Sequence, residues 1–354
     1  MATPTAWTGR PATTTERGVR SLGLALVLLL AVAPGWSRAA TAGVGLGLFA
    51  SDPDWDYAPL LDEIATVPGA DAVLLVSPWY QRDVRGTVIR PVPGRSPTLE
   101  TVRRTAQQAV ERGLAVTVMP IVLLEETSSP KEWRGVLSPQ HEAGDGLDRW
   151  WASYDDVVLA HATVAAEAGA TRFVVGSELL SMEAHEDRWR SLIQRVRSVF
   201  PGELIYSANW DQYDRIPFLD ALDAVGVNAY FRLAPDGARP DADAAVAAWE
   251  KHLRALERLR DTVGKPVVIT EVGYSSRATA AAKPWCHCPG EPLDIELQAT
   301  LYEALLRVFV AEEQGPLPVQ AWYLWNWFGF GGDEDGTFTP RGKPAEQVLR
   351  QGMR

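Results

Sequence analysis

The chain of 354 residues predicts a single (β/α)8 barrel, a closed parallel sheet wrapped by helices. Two observations carry that expectation. From Gly43 onward, short runs of β-branched and apolar residues alternate with helical patterns, and eight such runs can be counted. No linker rich in Pro, Gly or Ser divides the chain, and no glycine-rich phosphate turn follows the first run. The second point weighs against an open, doubly wound sheet.

Taken in order, Val44–Ala50 is the first strand and Tyr57–Thr66 the first helix. Ala72–Ser77 is the second strand, running into Pro78-Trp79-Tyr80. Thr98–Arg112 has helical spacing, and Gly113 is a natural C-terminal stop. Leu114–Val122 forms the third strand, and a long irregular connection up to Gly146 reads as a binding loop. A helix over Trp150–Ala168 precedes the fourth strand, Arg172–Gly176, which ends in Ser177-Glu178. After the helix Asp187–Phe200, Leu204–Ala208 runs into Asn209-Trp210-Asp211, and Ala224–Asn228 into Ala229-Tyr230-Phe231. The helix Asp241–Val263 leads to Lys265-Pro266. Pro266 lacks an amide hydrogen, so it opens the seventh strand, Val267-Val268-Ile269-Thr270-Glu271. Ile295–Glu313 is helical, Val319–Leu324 is the eighth strand leading into Trp325-Asn326-Trp327, and Ala345–Arg350 closes the chain as a helix.

The N-terminus has the pattern of an export signal. Arg17 and Arg20 precede the apolar run Leu22–Ala33, followed by small-residue cleavage sites at Ser37-Arg38-Ala39 and Ala40-Thr41-Ala42. Residues 1–42 are therefore expected to be a signal peptide and 43–354 an exported catalytic domain, in the periplasm or outside the cell. An uncleaved anchor is the alternative. No other stretch approaches membrane-spanning length. The formal charge of −11 argues against nucleic acid, anionic membranes and polyanionic substrates, and suits a neutral partner. Cys286 and Cys288 form either a local disulfide or free thiols, since further zinc ligands are not nearby. The five histidines fall in helices or loops, not at strand ends, so neither metal nor cofactor is called for.

In a barrel of this kind the chemistry sits at the carboxyl ends of the strands. There the fourth strand offers Glu178 and the seventh Glu271. By simple alternation, Glu178 shares a face with Gly176 and Val174, and Glu271 with Ile269 and Val267. If both faces point inward, the two carboxylates meet above the barrel. Such a pair is the equipment of glycoside hydrolysis, one protonated to assist the leaving oxygen and one attacking the anomeric carbon. Trp79, Trp210, Tyr230, Trp325 and Trp327 fall at or just beyond strand ends, where flat rings can stack on the C–H faces of sugars. Asn209 and Asn326 can hydrogen-bond sugar hydroxyls. For any single Trp, core packing is the competing reading.

The segments Val175-Gly176-Ser177-Glu178-Leu179, Thr270-Glu271-Val272-Gly273-Tyr274, Trp133-Arg134-Gly135 and Trp325-Asn326-Trp327 with Arg341-Gly342-Lys343-Pro344-Ala345 resemble family 113 of the clan A retaining glycoside hydrolases. The resemblance covers essentially the whole chain after the signal and implies a β-1,4-mannanase-like endo-hydrolase. It implies Glu178 as acid/base, Glu271 as nucleophile, Tyr230 as the tyrosine that hydrogen-bonds the nucleophile, and Trp325 as the floor under the attacked sugar. Two departures bear on the substrate. Ser177 stands where most of the clan has Asn, and Met119 where the mannanase pattern has Lys. The substrate is expected to be a neutral polysaccharide or oligosaccharide and the protein a monomer, with Glu178 titrating above Glu271. The rival readings are a polysaccharide-binding barrel without catalysis, an envelope scaffold, or a clan A glycosidase for another β-glycan.

Overall fold

The computed structural model describes residues 40–310 and 317–353. The predicted signal segment through residue 39 lies outside them, as does the end of the helix expected to reach Glu313. Eight parallel strands close into a barrel in sequence order: β1 Thr41–Gly47, β2 Ala72–Gln81, β3 Ala115–Leu124, β4 Arg172–Ser177, β5 Glu203–Asn209, β6 Ala224–Asn228, β7 Val267–Val272 and β8 Val319–Leu324. The barrel expectation is met. β1 begins at Thr41, paired with Ala321 of β8, so the expected domain boundary at residue 42 falls inside a strand.

Among the described residues seven α-helices wrap the sheet: α1 Ala58–Ala65, α2 Leu99–Glu111, α3 Gly146–Glu167, α4 Glu186–Arg197, α5 Ala242–Val263, α6 Ile295–Phe309 and α7 Pro344–Gly352. Between β5 and β6 only a short 3-10 turn, Leu219–Ala221, takes the helical place. Local chemistry sets several ends. Thr98 accepts from the Thr101 amide at 3.0 Å and Asp241 from the Ala244 amide at 2.8 Å, each satisfying an orphan donor of its helix. α5 stops at Gly264, whose φ of 69° is left-handed.

Two cores result. The larger, between sheet and helices, holds Val44, Leu46, Val73, Leu75, Val175, Val267 and Ile269 with the apolar helix faces. The smaller fills the barrel with Ala72, Leu74, Val76, Met119, Val174, Ile205, Val268 and Tyr323. β1 contributes glycines on that inner side because large rings come from β8: a Cβ on Gly43 would lie 2.5 Å from Tyr323. At the amino ends of the strands a polar cluster plugs the barrel, Arg172 donating to Glu203 at 2.6 Å and to the Tyr323 hydroxyl at 3.0 Å. The opposite end is the open one.

Candidate active site

Alternation along β4 and β7 does not carry the two glutamates to the barrel mouth as expected. Val267 and Ile269 face the helices, while Val268 packs inside the barrel, so strict alternation would point Glu271 outward. A register shift intervenes. Val227 pairs with Ile269 but Asn228 pairs with Glu271, and this irregularity re-aims the side chain. β4 uses the same device between Val174 and Ser177. There Val174 faces inward, whereas a Cβ on Gly176 would point at Trp189, Tyr154 and Tyr206 of the outer layer. Glu178 then adopts a left-handed φ of 54°, a costly backbone for a residue with a side chain. Its neighbour Leu179 is clamped, donating its amide at 2.9 Å to the Tyr206 hydroxyl, which donates in turn to Glu183 at 2.8 Å.

Both carboxylates reach one cavity of about 1000 Å³. Asn209, Trp210, Tyr230, Trp325 and Asn326 line it with them. Glu178 and Glu271 are 8% and 5% exposed, so each carboxylate needs local partners. The Tyr230 hydroxyl donates to Glu271 at 2.6 Å. Arg134, from a short 3-10 turn in the long β3–α3 connection, donates to Glu178 at 2.6 Å. Below them Ser207, Asn228 and Thr270 form a buried hydroxyl–amide triangle with edges of 2.7 to 2.9 Å. The Trp325–Asn326 peptide is cis.

Burial pushes the Glu271 carboxyl up to about 7, Glu178 adds to the rise, and Arg134 and Tyr230 pull it back. Glu271, the expected nucleophile, is thus a raised carboxyl, while the Arg134 guanidinium pairs directly with Glu178.

Two expected site residues do not line the cavity. β2 runs on to Gln81, so Trp79 lies within a strand and not at its end. It shares the helix-facing side with Ser77 and packs edge-on against His161 of α3 at 5.2 Å. Trp327 is wholly buried, two residues beyond Trp325, and donates its indole N–H to Glu63 of α1 at 2.9 Å. Met119 is interior core and does not line the cavity.

Other lining residues carried no assigned role: Arg134, Trp285, His287, Phe49, Asp211 and Asp335. Most come from loops, where no periodicity marks a functional side chain. The Trp-Arg-Gly segment was the one available signal for Arg134. Cys286 and Cys288 are joined as a disulfide, with Cα atoms 5.1 Å apart. Among the described residues, no group of three or more His, Cys, Asp or Glu is placed to hold a metal ion. Nor, among them, is any helix long and apolar enough to cross a membrane.

The GH113 β-mannanase AaManA from Alicyclobacillus acidocaldarius superposes with a TM-score of 0.76 at 26% identity, covering 90% of this chain and 98% of that one. A GH113 β-1,4-mannanase gives 0.74 at 21% identity over 89% and 97% of the two chains, which speaks to the fold alone. So does a GH5_18 protein from Streptomyces cattleya, with a TM-score of 0.57 at 15% identity over 90% and 80%. No curated protein matches by sequence. The model of Glycoside Hydrolase Family 113 matches residues 57–331, the greater part of the chain, so this protein belongs to that family and is a glycoside hydrolase.

Proposed function

We propose that the protein is an exported endo-β-1,4-mannanase working by double displacement, with Glu271 as nucleophile and Glu178 as acid/base. The observation that carries this reading is the convergence of both carboxylates, from β4 and β7, on one cavity. Glu271 attacks the anomeric carbon while Glu178 protonates the departing oxygen. Glu178 then takes a proton from water, which releases the sugar from Glu271. Tyr230 holds the attacking carboxylate by its 2.6 Å hydrogen bond. For Glu178 to give a proton, its ion pair with Arg134 has to open when substrate enters. Mannan as substrate rests on the similarity to the GH113 mannanases. Export is supported by the Cys286–Cys288 bridge, since such bonds persist in oxidising compartments. Cleavage after Ala39 would leave β1 whole.

The test is hydrolysis of mannan, β-glucan and xylan side by side by wild type and Glu271→Ala, with the first-formed anomer followed by proton NMR. Wild type is expected to cleave mannan with retention and the variant to lose turnover. Replacing Glu178 by Gln should cost about 100- to 10,000-fold in kcat on natural substrate. Inverted product, or equal turnover by wild type and Glu271→Ala, sinks the mechanism. Preference for xylan or glucan sinks the mannan reading alone.

A further inference from the structure

The cavity reaches well past the two carboxylates. Phe49 follows β1 and Trp210 follows β5, and these strands lie opposite one another in a ring of eight. One cavity touching both therefore crosses the barrel mouth. At about 1000 Å³ it sits at the top of the roughly 300–1,000 Å³ range usual for small-ligand sites. On the Trp210 side, Trp285 lies parallel to Trp210 with ring centres 4.9 Å apart. Trp285 is 39% exposed, unusual for the largest apolar side chain. It comes from the β7–α6 connection, which is tied down elsewhere by the Leu233 amide donating to Ala281 at 2.8 Å. Next to it the Cys286–Cys288 bridge closes the backbone on itself, and the Arg232 guanidinium lies 5.9 Å from the Trp285 ring centre.

We infer that the Trp210–Trp285 pair is a platform for a sugar ring on the leaving-group side of the cleavage point, held in place by the Cys286–Cys288 bridge. This rests on the glycosidase reading above. Glu178, which protonates the leaving oxygen, stands after β4, and Trp210 follows the neighbouring β5, so this pair of rings lines the same cavity next to the acid. The ligand class is a neutral β-linked oligosaccharide long enough to occupy both sides of the carboxylates. Flat indole faces take the apolar C–H faces of such rings.

The experiment is calorimetric titration of the full-length Glu271→Gln protein with ladders of manno-, cello- and xylo-oligosaccharides, from disaccharide to hexasaccharide. Affinity is expected to climb with length. Trp285→Ala should remove the gain of the longer members, about 3- to 10-fold, and leave the disaccharide unchanged. Trp285→Phe should recover part of it. The Cys286→Ser/Cys288→Ser double variant should lose part of the same gain without a change in Tm. If Trp285→Ala follows its parent at every length, weakens all lengths equally, or no ladder binds the parent, the platform is overturned. Binding of another ladder in place of the manno series, with the same dependence on Trp285, overturns the mannan reading and leaves the platform standing.

Discussion

Glu271 is asked both to be buried and to be ionised. Burial favours its neutral form and the nearby Glu178 carboxylate repels its charge, which together push it up to about 7. Its folded value lies above the ordinary 4.5, so its contribution to stability is full below about 4.5 and is lost as pH rises through 7. Activity runs the other way, because a protonated carboxyl cannot attack. The acid limb of kcat/KM is expected near neutrality in the free enzyme. Tyr230→Phe removes a hydrogen bond that favours the carboxylate and should move that limb to higher pH, with the largest loss on the acid side. Glu178→Gln removes the like charge and should move it lower, measured on an aryl glycoside whose leaving group needs no acid. Movement of the limb in the opposite direction in either variant would contradict this account of the pair.

The element that aims Glu178 is an irregular strand end, not a regular one. Gly176 faces three buried rings, and an added Cβ would lie 2.7 Å from Trp189 and 2.8 Å from the Tyr154 hydroxyl. Neither ring has room to withdraw, since both are buried in the larger core. Gly176→Ala is expected to cost about 1–3 kcal/mol in urea denaturation through overpacking. Tyr206→Phe keeps the packing but removes the clamp on Leu179 and the partner of Glu183. It should lower kcat more than it raises KM, because the left-handed Glu178 loses its support at the next residue. A change in KM alone would assign Tyr206 to packing only.

At the scale of the molecule, barrel closure joins residues from opposite ends of the chain. Glu63 on α1 accepts from Arg341 at 2.7 Å through both oxygens and from the Trp327 indole at 2.9 Å. Burial raises the Glu63 carboxyl but its Arg341 and Trp327 hydrogen bonds outweigh this, so its net direction is down. The stability it supplies is therefore present above the ordinary carboxylate value and lost as pH falls through the lowered one. Glu63→Gln strips the charge from a part-exposed ion pair and weakens the partner of a buried indole. It should destabilise by about 1–3 kcal/mol at neutral pH, with the gap to wild type closing in acid. A gap that persists unchanged in acid would mean the ion pair contributes nothing.

The order of eight strands and the seats of Glu178 just after β4 and of Glu271 near the end of β7 were legible because apolar periodicity and chain order are local properties. That Tyr230, Trp325 and the two asparagines would line the barrel mouth could be read because a strand end in this fold is a known address. Trp79 and Trp327 were misread for the complementary reason. A tryptophan looks the same in sequence whether it meets solvent or a helix, and where strand β2 stops is decided by its neighbours. Alternation likewise grouped Gly176 with Val174 and Ile269 with Glu271, which the register shifts separate, because those shifts depend on pairing with β5 and β6. Chain order alone thus determined the barrel and its two carboxylates. Contacts between distant segments decided the Arg134–Glu178 pair, the burial that raises Glu271 and the Trp210–Trp285 stack, since each depends on which side chains meet in space.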